Sequence, residues 1–206
     1  MSIRAERKIQ NRQNIIDKVL LLRYQGQPFY NISLRQVAQE VGLAPSAIYR
    51  YFPNKDTLAQ ATVDQVGVFI KSGLFQSRAR FLTHTEEDTE VRLAMFFKSV
   101  EEHALYWHFF VSERWGGYPV LERSIEQDVE DLANDLVLDL KRLEYYRVCE
   151  ENALRTYAEL LLQLSMVWSK QWIKLHKIDT HMIEDKVIFL RACFNKVVFL
   201  KRAFVT

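Results

Sequence analysis

The sequence predicts an all-α protein of about nine helices, on three observations. Only 6 Gly and 4 Pro punctuate 206 residues, too few for the turns of a many-stranded β-protein. Apolar residues recur at steps of three and four along most of the chain, the period of a helix with one buried face. Hydrophobic residues make up 49% and charged residues 26% with both signs mixed, enough to bury a core and too apolar for a disordered chain. The length suits a small domain joined to a larger one.

The first helix is expected over Arg4–Tyr24, from the spacing of Ile9, Ile16, Val19 and Leu20, with Gly26 and Pro28 as its stop. Ser33 opens the second. Its hydroxyl accepts from first-turn N–H groups, and Gln36 completes a capping box. Leu34, Val37, Ala38 and Val41 then form one apolar stripe, Gly42 ends it, and Leu43 fills the gap to the next helix. Pro45 suits the first position of a third helix, with Ile48 and Phe52 facing inward and Ser46, Ala47, Tyr49, Arg50 and Tyr51 outward. Pro53 closes that helix and Asn54 caps the fourth, Lys55–Leu82, loosened at Gly67 and Gly73. A polar loop, His84–Asp88, precedes helices over Thr89–Leu105 and Tyr106–Trp115. After the Gly116-Gly117-Tyr118-Pro119 turn come Val120–Leu143, Glu150–His176 and His181–Phe204. These elements divide into a domain over 1–54 and a larger one over 55–206, without repeats or a low-complexity linker.

Charge is unevenly placed. Residues 1–60 carry nine Lys/Arg against four Asp/Glu, and the remainder carries 19 against 22. A basic first third suits a polyanionic partner, although ordinary charge scatter would give the same count. Two isolated cysteines, Cys149 and Cys193, make neither a disulfide framework nor a metal site. The polar, basic first twelve residues and the lack of a long uncharged apolar run predict a cytoplasmic chain with no leader and no membrane span.

Ser33 to Lys55 reads as a helix-turn-helix. Two ordinary packed helices would not explain an exposed face of small residues and hydroxyls joined to Tyr49, Arg50 and Lys55. A helix entering the major groove needs that combination: small or hydrogen-bonding residues at its leading end, and cationic or phenolic groups for flanking phosphates. With the N-terminal helix and the Asn54-Lys55-Asp56-Thr57-Leu58 start of the linking helix, these residues resemble the tetracycline-repressor (TetR) family over about Arg4–Ala61.

The resemblance implies an all-helical homodimer on a palindromic double-stranded DNA operator, with a hydrophobic effector bound in the C-terminal domain. By the match, Tyr49 and Lys55 contact phosphates, and Arg35, Ser46 and Arg50 reach phosphates or base edges. Ser33 lies near the backbone at its cap, Ala44 and Pro45 lead the reading helix in, and Arg4, Arg7 and Lys8 form an arm. Tyr51 stands where the family more often has histidine. A narrower resemblance, in Ile3-Arg4-Ala5, Ser33–Phe52 and Ser112-Glu113-Arg114, is to repressors of unsaturated fatty-acid synthesis of the FabR and DesT type. It implies sensing of acyl-CoA or another acyl thioester. The chain departs from that pattern at Trp115-Gly116-Gly117-Tyr118 and at its C-terminus.

In the second domain, Trp107, Phe110, Trp168 and Trp172 are candidates to line an apolar cavity, with Arg114 at its edge for a phosphate or carboxylate. Aromatics at helical spacing are more often core, and Arg114 would equally pair with Glu113 or Glu122. Tyr157, Leu161, Leu164 and Trp168 form one stripe, and Ile183, Val187, Leu190, Phe194 and Val197 another. So wide an apolar surface suits a four-helix interface with a second copy, or failing that an enclosed pair within a monomer. No nucleophile–base pair, phosphate loop or histidine pair at metal spacing appears, so neither an enzyme nor a metal or cofactor is expected. Two alternatives remain to an acyl-CoA-controlled repressor. One is a regulator of efflux or stress genes answering another hydrophobic molecule, and the other a helical lipid-binding protein with no operator.

Overall fold

The computed structural model describes residues 3–79, 86–177 and 182–204. Regular structure among them is all helical: eight α-helices and three short 3₁₀ turns. The α-helices are α1 (Ile3–Tyr24), α2 (Leu34–Glu40), α3 (Lys55–Ala79), α4 (Glu86–Glu102), α5 (Ala104–Glu113), α6 (Pro119–Arg142), α7 (Glu151–Lys177) and α8 (Met182–Phe204). The expected third helix, beginning at Pro45, is instead a single 3₁₀ turn over Ala47–Arg50. Between two prolines there is room for little more than one turn, and a run this short tightens to i→i+3 pairing. The expected ends of the fourth helix and of the following loop, residues 80–85, and the last helix's start at His181 lie outside the described residues.

Two compact units make up the chain. One contains Met1–Val68 with His108–Glu126, and the other Phe69–Trp107 with Gln127–Thr206. They cut the chain differently from the division at residue 54, because the start of α3 and the corner where α5 meets α6 group with the N-terminal helices. α3 runs unbroken through Gly67 and Gly73. The backbone of 86–88, read as loop from its polarity, is already the first turn of α4, since a terminal turn needs no apolar face.

In the first unit, Ile15, Ile16, Val19, Leu20 and Leu22 form the buried face of α1. Ile9, expected on that stripe, is 58% exposed, as are its neighbours through residues 5–10 of α1. α2 buries Leu34, Val37 and Ala38 against it. Ser33 caps α2, accepting from the Gln36 N–H at 3.1 Å. The Gln36 side chain does not return to the cap; it exchanges two hydrogen bonds with the Gln27 amide, at 3.0 and 2.8 Å. α2 ends in a Schellman turn, with Leu43 N–H donating to Ala38 C=O at 2.8 Å and Gly42 N–H to Gln39 C=O at 3.1 Å. Gly42 sits at φ +71° with open space around it, so only backbone strain opposes a side chain there. Gly42→Ala should therefore cost about 1–2 kcal/mol, seen as a thermal midpoint lower by about 2–8 °C.

In the second unit, α4, α7 and α8 pack against one another. One core cluster joins Val137, Leu140, Tyr146, Leu154, Tyr157 and Ala158. A second is aromatic: Phe97 stacks on Trp172 at 4.4 Å, and Phe96 meets the Trp107 edge at 5.3 Å. Arg155 lies along the outside, bonded to Glu130, Asn134 and Glu159 at 2.5 Å each. None of the helices, over the described residues, is long and apolar enough to cross a membrane.

Candidate nucleic-acid interface

Of the residues expected to read DNA, most are exposed and two are half-buried. Ile48 and Phe52 are buried and pin the 3₁₀ turn to the core. Ser33, Arg35, Ala44, Pro45, Ser46, Tyr49 and Arg50 are exposed, Tyr49 by 46%. Helical backbone begins at Ser46 (φ −79°, ψ −21°), and Tyr51 and Phe52 N–H both donate to Ile48 C=O at 2.9 Å. That shared carbonyl tightens the turn, so Tyr49 and Arg50 stand on one rigid loop of backbone.

Tyr51 and Lys55 are the exceptions. Tyr51 is half-buried, and its hydroxyl accepts from Asn11 Nδ2 at 2.8 Å, tying the turn to α1. Lys55 is also half-buried. Its ammonium donates to the Tyr30 carbonyl at 2.7 Å and lies 5.1 Å from the Phe29 ring centre and 5.0 Å from that of Tyr118. Burial pulls its pKa below the ordinary lysine value, against the opposing charges of Glu113 and Asp56. Lys55 thus braces the turn before α2. Asn54 caps α3 as expected, accepting from Thr57 N–H at 2.8 Å.

Sequence reasoning passed over the residues that Lys55 meets. Glu113, at the end of α5, is fully buried. One carboxylate oxygen, Oε1, accepts from Arg23 Nε on α1 and from the Phe29 N–H at 3.4 Å. Tyr118, at the start of α6, donates its hydroxyl to Asp56 at 2.6 Å and packs edge-on to Phe29 at 4.8 Å. The sequence offers Glu113 only as a partner for Arg114, and no local signal marks its pairing with Arg23, ninety positions away. Tyr30, 65% exposed just ahead of α2, is a further phenol of the kind that contacts phosphates.

Burial, and then the Asp56 carboxylate, push the Tyr118 hydroxyl pKa above its ordinary 10.0. A raised folded-state value gives stability that is complete below the unfolded pKa and lost as pH climbs above it. Thermal midpoints should therefore fall above about pH 10, and Tyr118→Phe should flatten that fall.

The expected effector residues are buried and are divided between the two units. Trp107, Trp168 and Trp172 belong to the second unit, whereas Phe110 and Arg114 belong to the first. Arg114 is not open to an anion at its guanidinium edge. Nε and a second nitrogen hold Glu126 at 3.1 and 3.2 Å, and its face lies 4.8 Å from the Trp115 ring centre. Glu126, rather than Glu113 or Glu122, is the acid it takes, two turns into α6.

Of the residues expected at the dimer interface, two turn inward. Tyr157 and Trp168 are 3% exposed and belong to the interior of their own chain, with Tyr157 stacked on Tyr146. Leu161, Leu164, Leu190, Phe194 and Val197 are half-buried, and Val187 is exposed. Beyond them, Leu160 and Val167 on α7 and Ile188 and Phe199 on α8 stand 37%, 50%, 67% and 70% exposed. The side chain of Ile183 and that of Arg4, an expected arm residue, lie outside the described residues, while Arg7 and Lys8 are exposed. No group of three potential metal ligands occurs among the described residues.

Residues 24–62 match the family of bacterial regulatory proteins, tetR family. The chain is 21% identical to an HTH-type transcriptional regulator of Haemophilus influenzae, over 90% of this chain and 89% of that one. Its fold is that of a tetR-family transcriptional regulator from Streptomyces coelicolor, at TM-score 0.54 and 17% identity over 99% of this chain and 90% of that one. It is also similar to a transcriptional regulator from Cytophaga hutchinsonii, at TM-score 0.51 and 15% identity, covering 93% and 94% of the two chains.

Proposed function

We propose that the chain, whose residues 24–62 match the tetR family, is a helix-turn-helix regulator rather than an enzyme and represses transcription as a homodimer on a palindromic DNA operator. The observation that carries the reading is the single tight turn that presents Ser46, Tyr49 and Arg50 to solvent while Ile48 and Phe52 lock it from behind. Arg35 and Ser33 at the start of α2, with Arg7 and Lys8, supply phosphate contacts around it. Tyr51 acts by holding that turn to α1, and Lys55 by bracing the turn before α2. The second copy is to be joined through the outward faces of α7 and α8, where Leu160, Val167, Ile188 and Phe199 stay exposed in the single chain. Selecting genomic fragments that the protein retains, and sequencing them, tests this. Recovery of a recurring palindrome supports the reading, and retention of no sequence above a random background contradicts it.

The effector is proposed to be an apolar molecule bound by the second unit, whose aromatic cluster supplies the surface for it. An acyl-CoA fits the apolar half of that requirement. Acyl-CoA sensing predicts thermal shifts that vary with acyl-chain length and unsaturation. No response across such a set would favour another hydrophobic effector, as in a regulator of efflux or stress genes. The ligand must favour one separation of the reading turns over another, since equal affinity for both shifts nothing.

A further inference from the structure

We infer that the corner joining α5 to α6 is a built-in part of the DNA-reading head, with Glu113 as its positioning residue. The inference rests on the DNA-binding reading above. The corner follows the helix-turn-helix by more than fifty residues, yet it belongs to the same compact unit. Its contacts converge on the three places that set the head's geometry. Glu113 holds the end of α1 through Arg23 and the turn before α2 through the Phe29 N–H. Tyr118 holds the start of α3 through Asp56. Ser124, further along α6, donates to Gln60 of α3 at 3.3 Å.

Stability alone is a poor reason to bury this carboxylate. Its second oxygen, Oε2, has no hydrogen-bond partner among the described residues although the side chain is fully buried, and a buried ion pair commonly gains no more than apolar residues of the same size. A directed pair does what apolar contact does not: it fixes where α1 ends relative to α5. The chain is shaped around it. A side-chain carbon at Gly116 would lie 2.4 Å from Oε2 and 3.2 Å from the Glu113 Cα, so any larger residue there would have to displace the carboxylate.

The test uses the full-length protein and the duplex that the wild type selects from a random pool. Glu113→Gln keeps the volume and removes the charge. It should weaken binding about tenfold or more, with dimerisation and the salt slope of binding unchanged. Arg23→Met should do the same. The pair Arg23→Met with Glu113→Leu should recover the thermal midpoint and leave the affinity low, because the apolar pair packs without fixing an angle. Affinity returning in step with the midpoint would show a merely structural role and overturn the inference, as would wild-type binding by Glu113→Gln. Should the Glu113 variants fail to fold, Tyr118→Phe keeps the ring and loses only the bond to Asp56. A several-fold weaker affinity supports the inference, and an unchanged one overturns it. A wild type that selects no duplex overturns the DNA-binding reading and this inference with it, whereas the variant results bear on the inference alone.

Discussion

Replacing Tyr49 and Arg50 together with alanine is expected to abolish the mobility shift of a selected duplex, with affinity down by about a thousandfold or more. Removing a bond to a phosphate or base edge costs about 1–3 kcal/mol, and each residue acts twice in a dimer. Both side chains are exposed on the turn while Ile48 and Phe52 keep its buried side. Truncating them should therefore move the thermal midpoint by no more than a degree or two, because such surface changes stay within about 0.5 kcal/mol. The salt dependence of whatever binding remains should be shallower, by about one unit of slope for each phosphate the variant leaves unneutralised. A double variant that shifts DNA like the wild type would remove Tyr49 and Arg50 from the interface.

The second large effect concerns assembly. Ile188→Glu combined with Phe199→Glu should convert a dimer to a folded monomer that no longer retains the operator. These side chains are 67% and 70% exposed in the single chain, so a carboxylate there costs the protomer little. In a dimer interface the same carboxylates would be stripped of water without a partner, at several kcal/mol each. Dimer affinity should fall by about a thousandfold or more, read by sedimentation or light scattering, with helical circular dichroism retained. A wild type that sediments as a monomer, or a variant that stays dimeric, would place the interface elsewhere or remove it.

Local rules carried the sequence reading furthest. Ser33 as a cap, Gly42 in a left-handed turn, Asn54 before α3 and the inward Ile48 and Phe52 all follow from chemistry within four residues, and the structure has each of them. Where two residues compete for one partner, spacing gave no answer. Gln36 chose Gln27, nine positions away, over its own cap, and Arg114 chose Glu126 over two nearer acids. The helical period showed that α7 and α8 have wide apolar faces, but not which stripe turns inward. Tyr157 and Trp168 proved to be core, and the residues one step round the helix proved exposed.

Lys55 was the hardest residue to read. Its place beside the turn suits a phosphate contact, and only the fold reveals Phe29, Tyr118 and the Tyr30 carbonyl gathered around its ammonium. The Arg23–Glu113 pair was invisible for the same reason: ninety positions separate its members. Buried charge pairs between distant elements leave no periodic trace, and they are where a sequence says least about what sets an angle.

Hydroxyl-radical footprinting of the wild-type protein on its selected duplex tests the proposed repressor most directly. Two symmetric half-sites should be protected, with centres about one helical turn, 10–10.5 base pairs, apart, each losing protection in the Tyr49→Ala, Arg50→Ala protein. A single asymmetric footprint, or protection that survives in the double variant, would contradict a homodimer that reads DNA through the Ala47–Arg50 turn.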